Sequence, residues 1–219
     1  MTERPIALEE RGREDGRLLS PSAARNRDPI RDVFLKTMPR TGVILEIGAG
    51  TGEHAVHIAA AAPSLRWRPG DPDAASRASI AAWTAHLGLA NVAPPHAIDV
   101  TAPDWDERLE PVDGVVSINM IHIAPFAAAK GLFAGAGRLI KPGGRLFLYG
   151  PFARNGAHAA PSNAEFDRSL KARDASWGVR DLDLEIVPLA TAAGLSLEEV
   201  VAMPANNLSV VFRRWTVTP

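Results

Sequence analysis

From Val43 onward, short apolar runs alternate with longer amphipathic or alanine-rich segments. Runs at 43–47, 65–68, 92–98, 115–118 and 145–149 have the length and composition of buried strands. Helical patterns occupy 54–62, 74–87 and 126–140, with only a short turn at 105–109 before the fourth run. Strands separated by helices predict a parallel sheet covered on both faces and wound with right-handed crossovers. Upstream, Ser20-Pro21-Ser22 starts a helix, Asp28-Pro29 offers a second start, and Ile30, Val33, Phe34 and Leu35 form the apolar face. Residues 1–18 read as a flexible tail, with Gly12 and Gly16 set among solvated charges.

The last third changes character. Residues 151–181 are polar and loop-rich, with one helix expected at 163–172. A further helix is expected from about 182 to 193, stopped by Gly194 and interrupted by Pro188. Strands at 197–203 and 208–215, joined across 204–207, form an antiparallel hairpin. The expected architecture is therefore α/β: a mostly parallel seven-stranded sheet with helices on both faces and a C-terminal antiparallel hairpin. One domain, 19–219, follows the tail.

A chain of 219 residues fits one such domain and buries about 70% of its unfolded-state surface, so it needs no staples. It has no cysteine, which excludes disulfides, thiolate metal sites and cysteine nucleophiles and fits a cytoplasmic setting. The charged start (Glu9, Glu10, Arg11, Arg13, Glu14, Asp15, Arg17) is not expected to be a secretory signal. The longest apolar stretch, 112–133, is broken by Asp113, Asn119, His122, Pro125 and Lys130, so no membrane span is expected. With 24 basic and 25 acidic residues and no basic stripe, the chain is not expected to bind nucleic acid. Near-neutral charge fits a small, apolar substrate.

Chemistry concentrates after the first strand of the 43–149 series. Val43-Ile44-Leu45-Glu46-Ile47 runs into Gly48-Ala49-Gly50-Thr51-Gly52 and then Glu53-His54 at a helix start. Glycines between a strand and a helix let a ligand approach backbone that any Cβ would block. A dinucleotide fingerprint is G-x-G-x-x-G with pyrophosphate over the helix N-terminus. Here the third glycine comes one place early and an acid, Glu46, precedes the loop. A carboxylate repels pyrophosphate but attracts a sulfonium or an α-ammonium. Asp71 follows the second strand at about the 20-residue spacing at which a carboxylate meets ribose hydroxyls. Asp99 ends the third run, and Asn119 and His122 follow the fourth.

Leu45-Glu46-Ile47-Gly48-Ala49-Gly50-Thr51-Gly52 resembles the first motif of class I methyltransferases. The resemblance implies S-adenosylmethionine as cofactor and S-adenosylhomocysteine as product. It also implies that Asp99 meets the adenine amino group, with Val100 against the ring, and that Asn119 faces the methionine moiety or the acceptor. A wider set is similar to the methyltransferase-like 26 family: residues 20–30, 119–123, 148–152 and 161–163, Arg180-Asp181, and residues 203–208. Gly70 departs from it, where a small polar residue is expected. The resemblance covers 20–214 and implies a class I methyltransferase fold without naming a substrate.

In such a fold the N-terminal helix and the segment after the fifth strand close over the cofactor. Arg25 and Asn26 are then candidates for the methionine carboxylate, or they simply belong to a helix start. Tyr149, Asn163, Phe166, Asn206 and Asn207 are candidates for the acceptor pocket, with turn chemistry as the alternative for the asparagine pair. His122 is the candidate general base, because its ordinary pKa lies near neutrality; a hydrogen-bonded structural histidine is the alternative. His54 and His57 lack a third ligand and the zinc spacing, so no metal site is expected. Trp67, Trp83, Trp177 and Trp215 read as packing residues, while Trp105 is a candidate to flank adenine. The expected function is methyl transfer to a small-molecule acceptor, with the oligomeric state open. The alternatives are a catalytically idle cofactor-binding module and an NAD-dependent oxidoreductase.

Overall fold

The structure is a computed structural model that describes residues 9–216. At its centre lies β3 (Gly42–Ile47), with β4 (Leu65–Gly70) on one side and β5 (Val112–Ile118) on the other, both parallel to it. Beyond β5 come β6 (Ile140–Gly150), also parallel, then β10 (Asn207–Arg214) and β9 (Leu195–Met203), each antiparallel to its neighbour. The sheet therefore has six strands in the order β4-β3-β5-β6-β10-β9. The chain leaves β3 toward β4 and later returns to the opposite side of β3 as β5. That reversal makes the topological switch point at which open α/β sheets bind ligands.

The expected seventh strand is absent. Residues 92–98 reach β4 only through two isolated bridges, Trp67 to Val92 and Gly70 to His96. Pro94 and Pro95 lie between them, and neither has an N–H to give to a ladder. The C-terminal hairpin forms the antiparallel edge of the sheet, beside four parallel strands.

Helices cover both faces. Along β6, Leu146 and Leu148 point to one side and Phe147 and Tyr149 to the other, the period of two that a strand buried on both faces imposes. The first side packs on α4 (Phe126–Leu139) and α6 (Val187–Ala192) through Leu132, Phe133, Ala136 and Ala190. The second packs on α1 (Pro21–Thr37) and α2 (Glu53–Ala61) through Ile30, Phe34, Ile58 and Ala59. α1 runs unbroken through the second start: Ser20 caps it by accepting from the Ala23 N–H, and Pro29 lies inside it. Its apolar face buries Phe34 against Trp67 and Phe147, which outweighs the single helical hydrogen bond that Pro29 removes. α3 (Ala74–Leu87) keeps its expected bounds, started by Asp73 accepting from the Ser76 N–H and stopped by Gly88 at φ 63°.

Pro188 changes the geometry of its helix without ending it. A π-helical turn at Leu182–Ile186 precedes α6, and Gly194 follows at φ 74°. Two features were not expected. A small hairpin pairs β7 (Ala153–Arg154) with β8 (Ala157–His158) ahead of α5 (Pro161–Arg173). The described part of the supposed tail is a second hairpin, β1 (Gly12–Glu14) with β2 (Arg17–Leu19), turning at Asp15-Gly16 with positive φ at both residues. It is fastened to α3: Arg17 stacks on Trp83 at 4.8 Å, the Leu18 N–H donates to Ser79 Oγ at 2.8 Å, and Trp83 Nε1–H donates to the Leu18 carbonyl at 2.9 Å. Residues 1–8 of the expected tail lie outside the described residues. Among the described residues, no helix is long and apolar enough to cross a membrane.

Candidate functional site

A cavity of about 410 Å³ opens where the parallel strands end at the switch point. Its volume lies within the ~300–1,000 Å³ usual for small-molecule sites. Each strand end supplies a wall: Gly48 and Gly50 after β3, Asp71 to Asp73 after β4, and Ile118 and Met120 at the end of β5. Ile98 to Thr101 close one side, and Ile123 to Pro125 with Trp177 close another.

The glycine loop divides its labour. Gly48, at φ 71°, packs so closely that a Cβ would stand 2.7 Å from Met120 Cγ. A Cβ on Gly50, at φ 58°, would meet nothing nearer than Arg11 Nη2 at 3.8 Å. Gly50 lines the cavity, so that missing side chain leaves room for a ligand. Gly52, at φ 87°, approaches α3 instead, where a Cβ would stand 2.9 Å from Ile80 Cα. Neither Gly52 nor Ala49 is on the cavity wall; Ala49 anchors the loop by donating its N–H to the Gly70 carbonyl at 3.1 Å.

Asp71 ties this loop to the next one. One carboxylate oxygen accepts the Gly50 N–H at 2.9 Å and the other accepts the Asp73 N–H at 2.9 Å. Burial raises its pKa, opposed by these two backbone donors and by the Arg11 guanidinium. Asp99 stands on the opposite wall and accepts both the Thr101 N–H and its hydroxyl, with buried Val100 beside it. Gly48, Gly50, Asp71, Asp99 and Val100 are thus brought together around one cavity.

Glu46 is placed differently. It is 2% exposed and turns away from the cavity to accept the Trp67 indole N–H at 2.8 Å. Burial pushes its pKa up to about 8 against that hydrogen bond, with the nearby Asp71 adding to the rise. The buried group is an acid, not the carboxylate expected to face a positive ligand. Stability from this group is full below its ordinary 4.5 and is lost as pH climbs toward about 8, because the folded chain holds a proton that the unfolded chain has released. Glu46→Gln keeps an acceptor for Trp67 and removes the titration. Thermal melts should show the variant equal to wild type near pH 4.5 and more stable by on the order of 3 kcal/mol near pH 8. An identical difference at both pH values would move the titration to another group.

His122 does not stand as a general base. It is fully buried, edge-on to Phe152 at 4.8 Å, and absent from the cavity wall. Its Nδ1 accepts the Arg180 N–H at 3.2 Å, which puts the ring proton on Nε2, a buried atom with no partner. Burial, then the Arg180 charge, push its pKa down to about 3. A ring whose one lone pair is engaged and whose charged form is this disfavoured takes no proton near neutrality. Its role is a clasp: the His122 carbonyl also accepts the Gly178 N–H, and the Arg180 guanidinium donates to the Ile121 and Ala124 carbonyls. These bonds hold Trp177 at the cavity wall, a position that reading it as a packing residue missed. Asn119, at φ 62°, anchors the same turn by donating its N–H to the Tyr149 carbonyl at 2.8 Å.

The other candidates lie off the cavity wall. Arg25 is exposed near Glu9. Asn26 stands between His54, 2.8 Å away, and the Tyr149 phenol. His54 is therefore held between α1 and α2, and burial pushes its pKa down to about 4. Asn163 donates to the Asn206 carbonyl at 3.0 Å, Asn206 donates to Ser162 Oγ, and Phe166 is half-buried on α5. Asn207 donates to the Pro204 and Ala205 carbonyls, which is turn chemistry. Trp105 packs against Gly135 and donates to the Gly131 carbonyl, away from the cavity wall. Sequence reasoning missed Arg11, which lines the cavity beside Asp71 and Asp73. Among the described residues, no group of three or more His, Cys, Asp or Glu side chains is placed to hold a metal ion.

A switch-point cavity with a glycine loop and strand-end aspartates, on a mixed sheet with an antiparallel outer hairpin, defines an α/β protein of the methyltransferase-like fold. Solved structures agree on that fold. An O-methyltransferase family protein from Burkholderia thailandensis is similar over 90% of this chain and 58% of its own, at 15% identity and a TM-score of 0.75. An O-methyltransferase family 2 protein from Planctomyces limnophilus, solved with apigenin, matches over 88% of this chain and 60% of its own, at 18% identity and a TM-score of 0.72. CalO1, a methyltransferase in calicheamicin biosynthesis solved in its SAH-bound form, matches over 88% and 54%, at 20% identity and a TM-score of 0.67. The chain thus spans between half and two thirds of the length of these structures. By sequence, the chain belongs to the family described as protein of unknown function (DUF938), which it matches over residues 17–214.

Proposed function

We propose that this protein is an S-adenosylmethionine-dependent methyltransferase acting on a small-molecule acceptor, as its resemblance to the methyltransferase-like 26 family also implies. The observation that carries this reading is the meeting of Gly48, Gly50, Asp71, Asp99 and Val100 around one cavity of nucleoside size. Gly50 leaves the space for close approach, Asp71 offers carboxylate oxygens to ribose hydroxyls, and Asp99 with Val100 faces the adenine. Met120, Ile123 and Trp177 add apolar surface to the wall. The similar solved structures include O-methyltransferases and one in an SAH-bound form, which supports the same cofactor. The setting reads as cytoplasmic, and the domain includes the hairpin at its start, since Arg11 lines the cavity and Leu18 is bonded to Ser79.

When bound, the cofactor supplies a methyl carbon on a sulfonium, open to direct displacement. The chain's part is to align the reactants and keep water out, effects worth several kcal/mol of barrier. The titratable side chains on the described cavity wall are Arg11, Asp71, Asp73 and Asp99. With His122 withdrawn, the wall offers no imidazole, and the acidic side chains are its proton acceptors, Asp71 with a pKa raised by burial. Calorimetric titration with S-adenosylmethionine, S-adenosylhomocysteine and NADH tests the assignment. Stoichiometric binding of the first two and none of the third is the expected result; a folded protein that binds neither sulfur ligand overturns it.

A further inference from the structure

We infer that Arg11 closes the cofactor cavity and binds the carboxylate at the amino-acid end of the cofactor, an inference that rests on the methyltransferase reading above. S-adenosylmethionine and S-adenosylhomocysteine each carry one anionic group, the α-carboxylate; the remaining polar groups are neutral or cationic. The described cavity wall is the reverse: three acids, Asp71, Asp73 and Asp99, and one basic side chain, Arg11. The acids suit hydroxyls, amines and the ammonium. A carboxylate in the same cavity has one cation to meet.

Position agrees with charge. The Arg11 guanidinium lies over the glycine loop, with Nη2 3.8 Å from where a Gly50 Cβ would stand. It feels Asp71 and Asp73 electrostatically but makes no hydrogen bond or close ion pair with the described residues, leaving its donors free for a ligand. A guanidinium presents a planar fork that matches a carboxylate with two parallel hydrogen bonds. Arg25, the candidate for this task on sequence grounds, is exposed, lies off the cavity wall, and is near Glu9 instead.

The segment that carries Arg11 is held on both flanks. Before it, the Glu9 carboxylate accepts from Ser20 Oγ at 2.5 Å and from the Ser22 N–H at 3.0 Å at the start of α1. After it, Arg17 and Leu18 are fixed to Trp83 and Ser79 on α3. A side chain pre-positioned in this way loses little freedom on binding. The family match begins at residue 17, so the contact belongs to a segment outside the matched region.

The test compares S-adenosylhomocysteine with 5′-methylthioadenosine, which has the same nucleoside and thioether but no amino-acid end. Full-length wild type, Arg11→Ala and Arg11→Lys are titrated with both ligands, and melting curves verify folding. Arg11→Ala should weaken S-adenosylhomocysteine by about ten- to a hundredfold, the loss of one charge-assisted contact. Methylthioadenosine affinity should be unchanged, and lysine should restore part of the loss. Equal weakening of both ligands would make Arg11 a strap anchor only and overturn the assignment, as would no weakening of either. Wild type that binds neither ligand removes the methyltransferase reading, and this inference with it, before any variant is compared.

Discussion

Replacing Asp71 with alanine is expected to weaken S-adenosylhomocysteine binding by about a hundredfold while leaving the protein folded. Asp71 has two tasks on the cavity wall. Its two oxygens accept the Gly50 and Asp73 N–H groups at 2.9 Å each, which fixes the glycine loop against the loop after β4. Its remaining lone pairs face the space where ribose hydroxyls are expected. Alanine removes both, and hydrogen bonds to a charged group are worth about 1.5–3 kcal/mol. Loss of one ligand contact together with the ordering of the loop gives on the order of 3 kcal/mol, or about a hundredfold. The fold survives because the Gly48 and Ala49 N–H groups still donate to the Gly70 carbonyl at 2.9 and 3.1 Å. Asp71→Asn should fall between, since its amide keeps one acceptor oxygen but not two. Calorimetric titration beside thermal melts measures both effects. Near-wild-type affinity in the folded alanine variant would remove Asp71 from the site.

The parts of this site that were legible from the sequence are those that local chemistry decides. A strand running into G-x-G-x-G can only turn where Gly48, Gly50 and Gly52 adopt positive φ, and all three do. Asp73 and Gly88 bound α3 through capping, which acts within a few residues. Asp71 follows from a strand end and spacing, whereas Asp99 follows an apolar run that reaches the sheet only through isolated bridges. What was not legible depends on distant partners. Glu46 is neutralised by burial against Trp67, 21 residues away in sequence. His122 loses its basicity to burial and to the charge of Arg180, whose N–H, 58 residues away, also occupies its Nδ1. Pro94-Pro95 outweighed an apolar run that otherwise read as a strand. The strap was missed despite a local signal: Asp15-Gly16 is a hairpin turn pair, hidden because its flanking residues are charged. Their apolar partners, Trp83 and the face of α3, lie more than 60 residues downstream.

Gly131→Ala is expected to lower both stability and cofactor affinity, although it places the better helix former in the middle of α4. In an isolated helix the exchange would gain about 1 kcal/mol. Here the new Cβ would land on the Val100 carbonyl oxygen and 2.9 Å from the Val100 carbonyl carbon. These are backbone atoms and cannot rotate aside, so either α4 or the 99–101 segment has to move. Overpacking of this kind costs about 1–3 kcal/mol and often more when the neighbour is fixed. A net loss of about 2–3 kcal/mol would lower the melting temperature by about 5–10 °C in a chain of this size. The direction of relaxation links packing to function. Val100 and Asp99 form one wall of the cavity, and Asp99 is held by the Thr101 N–H at 2.9 Å. If that segment shifts, the Asp99 side of the cavity shifts with it, and the melting-temperature rise produced by saturating S-adenosylhomocysteine should shrink. A variant with a lower melting temperature but the full ligand-induced rise would mean that α4 moves instead and that the wall is set by the sheet alone. Unchanged melting would show that the close approach of α4 to Val100 is not what holds this wall.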